Sequence, residues 1–164
     1  MTSNIIEVQV ALLLDYRRYT IVPNISWGLG LNHECDMLAL DTSGRFTEIE
    51  IKISAGDLKA DFNKKHQHKS DIISRLFYAM PLNLCQKYEN LIPANCGIIA
   101  IETITSENPS NSIYYTAKYF RQCRHRVIKK PSQETIFKFM NLGCMRIWTL
   151  KSALQTLKNK NNQK

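Results

Sequence analysis

Glu48, Glu50 and Lys52 alternate with Ile49, Ile51 and Ile53 in the stretch Thr47-Glu48-Ile49-Glu50-Ile51-Lys52-Ile53. A β-strand sends successive side chains to opposite faces, so the three isoleucines are expected to enter a core. Two carboxylates and an amine would then line the other face, about 7 Å apart at roughly 3.3 Å per residue. Upstream, Glu34 to Leu40 reads as a second strand, and Asp41-Thr42-Ser43-Gly44-Arg45 is a turn-forming link. If Leu40 pairs with Phe46, antiparallel register sets Leu38 opposite Glu48, Asp36 opposite Glu50 and Glu34 opposite Lys52. Like charges directly opposite one another are destabilising. Asp36 and Glu50 therefore call for a cation, and hard divalent ions take oxygen ligands of this kind, with Lys52 beside the ion. A slip of one residue would send Asp36 to the other face. Alone, the Glu-Ile-Glu-Ile-Lys-Ile strand reads as a half-solvated sheet face; the paired Asp36 turns it into a candidate site.

The flanking elements must position this hairpin. Ser3 or Asn4 can cap a helix with Ile5, Val8, Leu12 and Tyr16 on one face. Glu7 falls on its first turn, where an acid suits the helix dipole; a role there and a role at the site stand level. Thr20 to Trp27 reads as an edge strand, because Pro23 lacks the amide a central strand needs. Gly28-Leu29-Gly30 is too little for a dinucleotide fingerprint, and no P-loop occurs. Ser54-Ala55-Gly56-Asp57 opens a helix in the manner of a capping box, with Leu58 and Phe62 inward. Lys59, Lys64, Lys65, His66, His68 and Lys69 would form an outward positive ridge able to track phosphates.

Arg75 to Pro81 reads as a strand stopped by proline, followed by a short helix around Leu84 to Leu91, a buried strand Cys96 to Glu102, a loop Glu107 to Asn111 and a strand Ser112 to Phe120. Strands alternating with helices imply an α/β sheet covered on both faces. Arg121 to Arg126, including Arg124, with Lys129 and Lys130, forms a second basic cluster that either holds nucleic acid or solubilises an edge. Ser132 caps a final helical region, interrupted near Gly143, with Ile147, Leu150, Leu154 and Leu157 at core-facing spacing. Residues 158–164 read as a disordered basic tail.

Composition sets the limits. With 164 residues, 44% of them hydrophobic, the chain suits one domain over residues 1–157. A net charge of +8 favours a polyanionic partner, nucleic acid first. The five cysteines are an odd number without a Cys-x-x-Cys pair, as expected of free thiols in a reducing compartment. His33-Glu34-Cys35, His66-Gln67-His68 and Cys123-Arg124-His125 invite comparison with zinc motifs, but none has the four-ligand spacing of a structural site. Met1 to Asn4 does not lead a basic region into a long apolar run, and no stretch approaches the roughly 20 apolar residues of a membrane span; a cytoplasmic location is expected.

The order of these elements, with Asp36 and Glu50-Ile51-Lys52 on the hairpin, resembles the PD-(D/E)XK nuclease superfamily over roughly residues 4 to 102. Glu50 through Asp57-Leu58-Lys59-Ala60-Asp61-Phe62, the Lys-rich helix and Arg75-Leu76-Phe77-Tyr78-Ala79-Met80-Pro81 are more specifically similar to the MmcB-related branch, associated with DNA repair and found in phage-like proteins. The resemblance implies a restriction endonuclease-like core, a central mixed β-sheet flanked by helices in the order αβββαβ, with a C-terminal helical extension. It implies Asp36 and Glu50 as acidic ligands of Mg²⁺ or Mn²⁺, the Ile51 carbonyl as a further ligand, Lys52 as the catalytic lysine and Glu7 as an acid joining through water. Cys35 stands where the motif has proline, and Glu34 is an additional acid. A supporting basic residue on the next helix is either Lys59 or Lys65. The implied activity is hydrolysis of DNA phosphodiester bonds in repair, recombination or phage DNA processing. A catalytically inactive nucleic-acid-binding module of the same fold is the alternative. RNA stays open as a substrate, and so does a homodimer, since a double-strand cut often needs a second active site.

Overall fold

The computed structural model describes residues 1–25, 28–64, 68, 70–105 and 112–161. In chain order the elements are α1 (Ser3–Leu14), β1 (Thr20–Ile25), β2 (Cys35–Leu40), β3 (Phe46–Ile51), α2 (Ala55–Asp61), β4 (Ile73–Pro81), α3 (Leu82–Tyr88) with a 3₁₀ turn at Glu89–Leu91, β5 (Gly97–Thr105), β6 (Ile113–Arg121) and α4 (Gln133–Asn161). The six strands form one mixed sheet in sequential order. β3–β4 and β4–β5 are parallel, and the other three pairings are antiparallel. This is the expected α/β architecture with the αβββαβ order and the C-terminal helix. β1, which carries Pro23, is an edge strand as its proline requires.

The hairpin register is as expected through Leu40↔Phe46 and Leu38↔Glu48 to Met37↔Ile49, where the recorded pairing of the strands ends. Gly44 adopts φ +76° in its turn, a conformation suited to glycine. Position 36 is therefore in register with position 50 but is not its ladder partner. Glu34 and Lys52 lie beyond the strand ends, so they do not pair across the hairpin either.

α1 covers one face of the sheet, setting Ile6, Val10 and Leu14 against Ile49, Ile51, Ala79 and Ile99. The expected buried face of this helix was a different one: Val8, Leu12 and Tyr16 are exposed. Apolar residues run nearly all round α1, so spacing alone fits more than one stripe. Glu7 sits one residue past the first turn, which contains no acid. Ile53 was expected in the core but is half exposed, because β3 ends at Ile51 and Ile53 falls in the link to α2.

The opposite face is divided. Under α4, Leu38, Phe46, Ile73 and Val22 pack with Phe139. Under α2 and α3, Leu58, Leu76, Met80, Cys85 and Ile98 form a second apolar cluster. Between the two, β3 presents Glu48 and Glu50, and Lys52 follows.

α4 is continuous through Gly143, not interrupted there. A Cβ on Gly143 would lie 3.1 Å from Val22 Cγ2, so the glycine allows the helix to approach β1, and Arg146 donates to the Asn24 carbonyl at 2.6 Å. Beyond this contact the helix continues past the sheet edge, which leaves Ile147, Leu150, Leu154 and Leu157 exposed rather than in the core. The helix also includes Lys158 to Asn161, which were expected in a disordered tail. Ser26, Trp27, the loop Glu107 to Asn111, and residues 162–164 fall outside the described residues. No helix among the described residues is long and apolar enough to cross a membrane.

Candidate active site

Both faces of β3 are buried, and this decides the electrostatics of the site. Glu48, Glu50 and Lys52 are exposed by only 0%, 1% and 2%, so the half-solvated face that the strand taken alone suggests does not exist. Charges this deep must be paired within the protein. Lys52 Nζ lies 2.9 Å from Glu50 Oε2 and 3.0 Å from Asp61 Oδ1. Its backbone N–H donates to Ala79 on β4, which fixes where the side chain starts.

Asp61, the last residue of α2, is the hub that sequence reading did not pick out. It receives Lys52, Lys64 at 2.6 Å, the Tyr78 hydroxyl at 3.1 Å and His68 Nε2 at 2.8 Å. Burial pushes its carboxyl up, but the hydrogen bonds from His68 and Lys64 and the Lys52 charge outweigh this and hold it well below the usual range. His68 reaches Glu48 Oε1 through Nδ1 at 2.8 Å. Burial disfavours its charge, yet the Asp61 and Glu48 hydrogen bonds win and raise it to about 9. His33 Nε2 lies on the same Glu48 oxygen, also at 2.8 Å. Burial raises Glu48, and the two histidines more than offset that, leaving it lowered.

Glu50 is the least compensated member. Burial lifts it, the Lys52 charge opposes, and Asp36 adds to the rise, pushing it up to about 7. Its Oε1 is buried without a hydrogen-bond partner, as is Glu48 Oε2, among the described residues. Asp36 lies where the hairpin strands part, and its carboxylate accepts the Ile51 N–H at 2.7 Å. Asp36, Glu7, Ile51, Ile53 and Asp57 line a cleft of about 180 Å³. Glu7 is raised, by burial first and then by Asp36. Asp36 is thus the electrostatic link between Glu7 on α1 and Glu50 on β3.

Two groups of side chains place one ligand atom each within 4.8 Å of one another: His33, Cys35 and Glu48, and Glu48, Glu50 and His68. Asp36 belongs to neither. The signal that could have located partners for Glu48 was present in the sequence: a strand of an α/β sheet covered by helices on both faces has no solvated side, so its charges need internal partners.

The basic residues separate into structural and exposed sets. α2 stops at Asp61, so the lysine-rich ridge is not a continuous helix. Ser54 caps α2 by accepting the Asp57 N–H at 3.2 Å, as its sequence suggested. Lys59 is exposed, with Nζ 5.8 Å from the Tyr88 ring centroid. Lys64 is folded back onto Asp61; Lys65, His66 and Lys69 lie outside the described residues. His68, expected on the outward ridge, is buried. In the second basic cluster, Arg121 donates to the carbonyls of Cys96, Glu89, Ile92 and Pro93, and Arg126 donates to the His68 carbonyl. Arg124, Lys129 and Lys130 remain exposed.

The fold and this buried acid–lysine cluster define an α/β protein with a six-stranded mixed sheet, flanking helices and a long C-terminal helix. The sequence profile of the family described as DNA repair protein MmcB-like matches residues 2–153. The chain belongs to this family of DNA repair proteins, and the match extends well into α4, past the part of the chain in which the resemblance was first legible. The comparison with curated proteins gives no match. Among solved structures, a protein of unknown function from Silicibacter pomeroyi is similar with a TM-score of 0.65 and 18% identity, over 96% of this chain and 94% of that one. That likeness is one of fold.

Proposed function

We propose that the protein is a Mg²⁺- or Mn²⁺-dependent nuclease acting on DNA, with its site at Asp36, Glu50 and Lys52. The observation that carries this reading is Glu50. It is a buried carboxylate lifted to about 7 by burial and Asp36, and one of its oxygens lacks a hydrogen-bond partner among the described residues. It stays raised even with Lys52 at 2.9 Å, His68 at 3.7 Å and Lys64 at 4.0 Å, and carboxylate oxygens suit a hard divalent ion. Asp36 and Glu50 would hold the ion together with the Ile51 carbonyl, with Glu7 on the far side of Asp36. Bound there, the ion would polarise a phosphodiester oxygen and lower the pKa of an attacking water.

Lys52 acts as a fixed positive charge. Burial lowers it, but the Glu50 and Asp61 carboxylates outweigh this and raise it above the ordinary lysine range, so in the metal-free fold it holds its proton. It stabilises negative charge developing on the phosphate and orients the water. Asp61 and Tyr78 position Lys52 from behind. Exposed Lys59, Arg124, Lys129 and Lys130 supply the salt-dependent attraction for the DNA backbone.

One observation favours a second reading, a DNA-binding module without turnover: Lys52 is paired with both Glu50 and Asp61, and the residue is 2% exposed. Incubation with linear, nicked, supercoiled and single-stranded DNA in Mg²⁺, Mn²⁺ or EDTA separates the two. The nuclease reading expects metal-dependent cleavage that Asp36→Ala and Glu50→Gln abolish. Binding that weakens with salt and never leads to cleavage, whatever the metal, would support the module.

A further inference from the structure

We propose that the chain holds a zinc ion at His33, Cys35, Glu48 and His68, beside the oxygen-donor site at Asp36 and Glu50. His33 Nε2 and His68 Nδ1 converge on one oxygen, Glu48 Oε1, at 2.8 Å each. Cys35 Sγ, His33 and Glu48 offer donor atoms that all lie within 4.8 Å of one another. All four residues are buried, and Glu48 has its other oxygen, Oε2, without a hydrogen-bond partner among the described residues. Two imidazoles, a thiol and a carboxylate are the donor types of a tetrahedral zinc site, with Glu48 shared between the His33–Cys35 group and the group that contains His68; magnesium takes oxygen donors instead.

The outer partners of the histidines fit the same assignment. A metal-bound histidine gives its other ring N–H to a carboxylate or carbonyl, which fixes the tautomer and aims the ring. His68 Nε2 lies 2.8 Å from Asp61 Oδ2, and His33 Nδ1 lies 2.7 Å from Asn32 Oδ1. Both rings are therefore held from outside with their remaining nitrogens turned inward. Zinc–ligand bonds of about 2.0–2.3 Å place tetrahedral donors roughly 3.3–3.8 Å apart. To admit the ion, the inward nitrogens must move about half an ångström or more away from Glu48 Oε1, and Cys35 and His68, which belong to different donor groups, must draw together. Uptake releases the Cys35 thiol proton and the protons that now point from the two rings at Glu48, which go to solvent.

Sequence spacing could not reveal this set, because His33-Glu34-Cys35 supplies two ligands and the other two come from β3 and from residue 68. The ion would tie the start of β2, which carries Asp36, to β3 and to the segment after α2. It is a brace beside the proposed catalytic groups, with His68 Nδ1 3.7 Å from Glu50 Oε1, and takes no part in cleavage; metal content is read without any activity measurement, so its failure is distinguishable from that of the nuclease reading.

The test is metal analysis of the full chain purified without chelator, followed by Co²⁺ substitution. The expected result is about one zinc per chain and, with cobalt, the intense visible bands of a tetrahedral ion plus a thiolate-to-cobalt charge-transfer band. Cys35→Ser should remove the charge-transfer band. Asn32→Ala, which leaves every ligand in place, should weaken zinc binding 10- to 100-fold. Excess Mg²⁺ should leave the cobalt spectrum unchanged. Absence of tight zinc or cobalt binding, a cobalt spectrum without the thiolate band, unchanged affinity in Asn32→Ala, or displacement of cobalt by Mg²⁺ would each overturn the proposal. The wild-type spectrum decides even if Cys35→Ser fails to fold.

Discussion

The two faces of β3 are equally dry and hold the sheet by opposite means. Ile49 and Ile51 meet α1 and neighbouring strands through hydrocarbon contacts alone. Glu48 and Glu50, one residue away on the same strand, are as buried but are held by His33, His68, Lys52 and, beyond it, Asp61. The apolar face tolerates repacking in small steps. The polar face does not, because removing one partner strands a charge where water cannot reach it. A buried ion cluster is often no more stable than leucines in its place, and that difference sets the polar face apart as the proposed site.

The largest effect should come from Asp61→Ala, which leaves Lys52, Lys64 and His68 without their shared acid. We expect a loss of about 3–5 kcal/mol in urea denaturation, and a loss below 1 kcal/mol would mean the cluster is not the tightly coupled unit described. Ile49→Ala on the opposite face should cost about 2–4 kcal/mol through lost contacts and a cavity, while leaving any DNA cleavage per folded molecule unchanged. A catalytic defect in that variant would erase the distinction between the faces.

The pH profile sharpens it further. Glu50 is raised from 4.5 to about 7 in the fold, so the stability tied to its neutral form is present below 4.5 and lost as pH rises through about 7. His68 is raised from 6.5 to about 9, so its contribution is complete below 6.5 and lost as pH rises through about 9. Asp61 and Glu48 are lowered, and their contributions vanish in acid, below their unfolded values of 3.8 and 4.5. Thermal melts of the metal-free protein should peak near about pH 5 and fall steadily toward pH 9. Millimolar Mg²⁺ should restore stability on the alkaline side by charging Glu50 against the ion; a profile flat from pH 5 to 9 would remove Glu50 and His68 as titrating members.

The smallest effect belongs to Lys64→Ala. Its side chain is 43% exposed, so its pair with Asp61 is screened and should contribute less than about 1 kcal/mol. A larger loss would make Lys64 part of the buried unit.

Much of this was legible before any coordinates. Strand parity and turn chemistry placed β2, β3 and their register, and Ser54 marked the start of α2. Glu48, Glu50 and Lys52 were assigned correctly to one face. What parity cannot give is what covers that face: Asp61 comes from the end of α2 and His68 from beyond it, where no strand period applies. α1 was turned to the wrong side because its apolar residues surround it. α4 was taken into the core by a spacing that is real, but the sheet ends before the spacing does.

The most direct test compares turnover per folded molecule in wild type and Lys52→Met, with supercoiled DNA, Mn²⁺ and the folded fraction measured in the same buffer. Methionine keeps much of the side-chain volume and removes the charge. The account predicts metal-dependent cleavage by wild type and loss of at least two orders of magnitude in the folded variant, with DNA affinity largely retained. Equal turnover per folded molecule, or no cleavage by wild type in any metal, would contradict it and leave the buried face of β3 as scaffold.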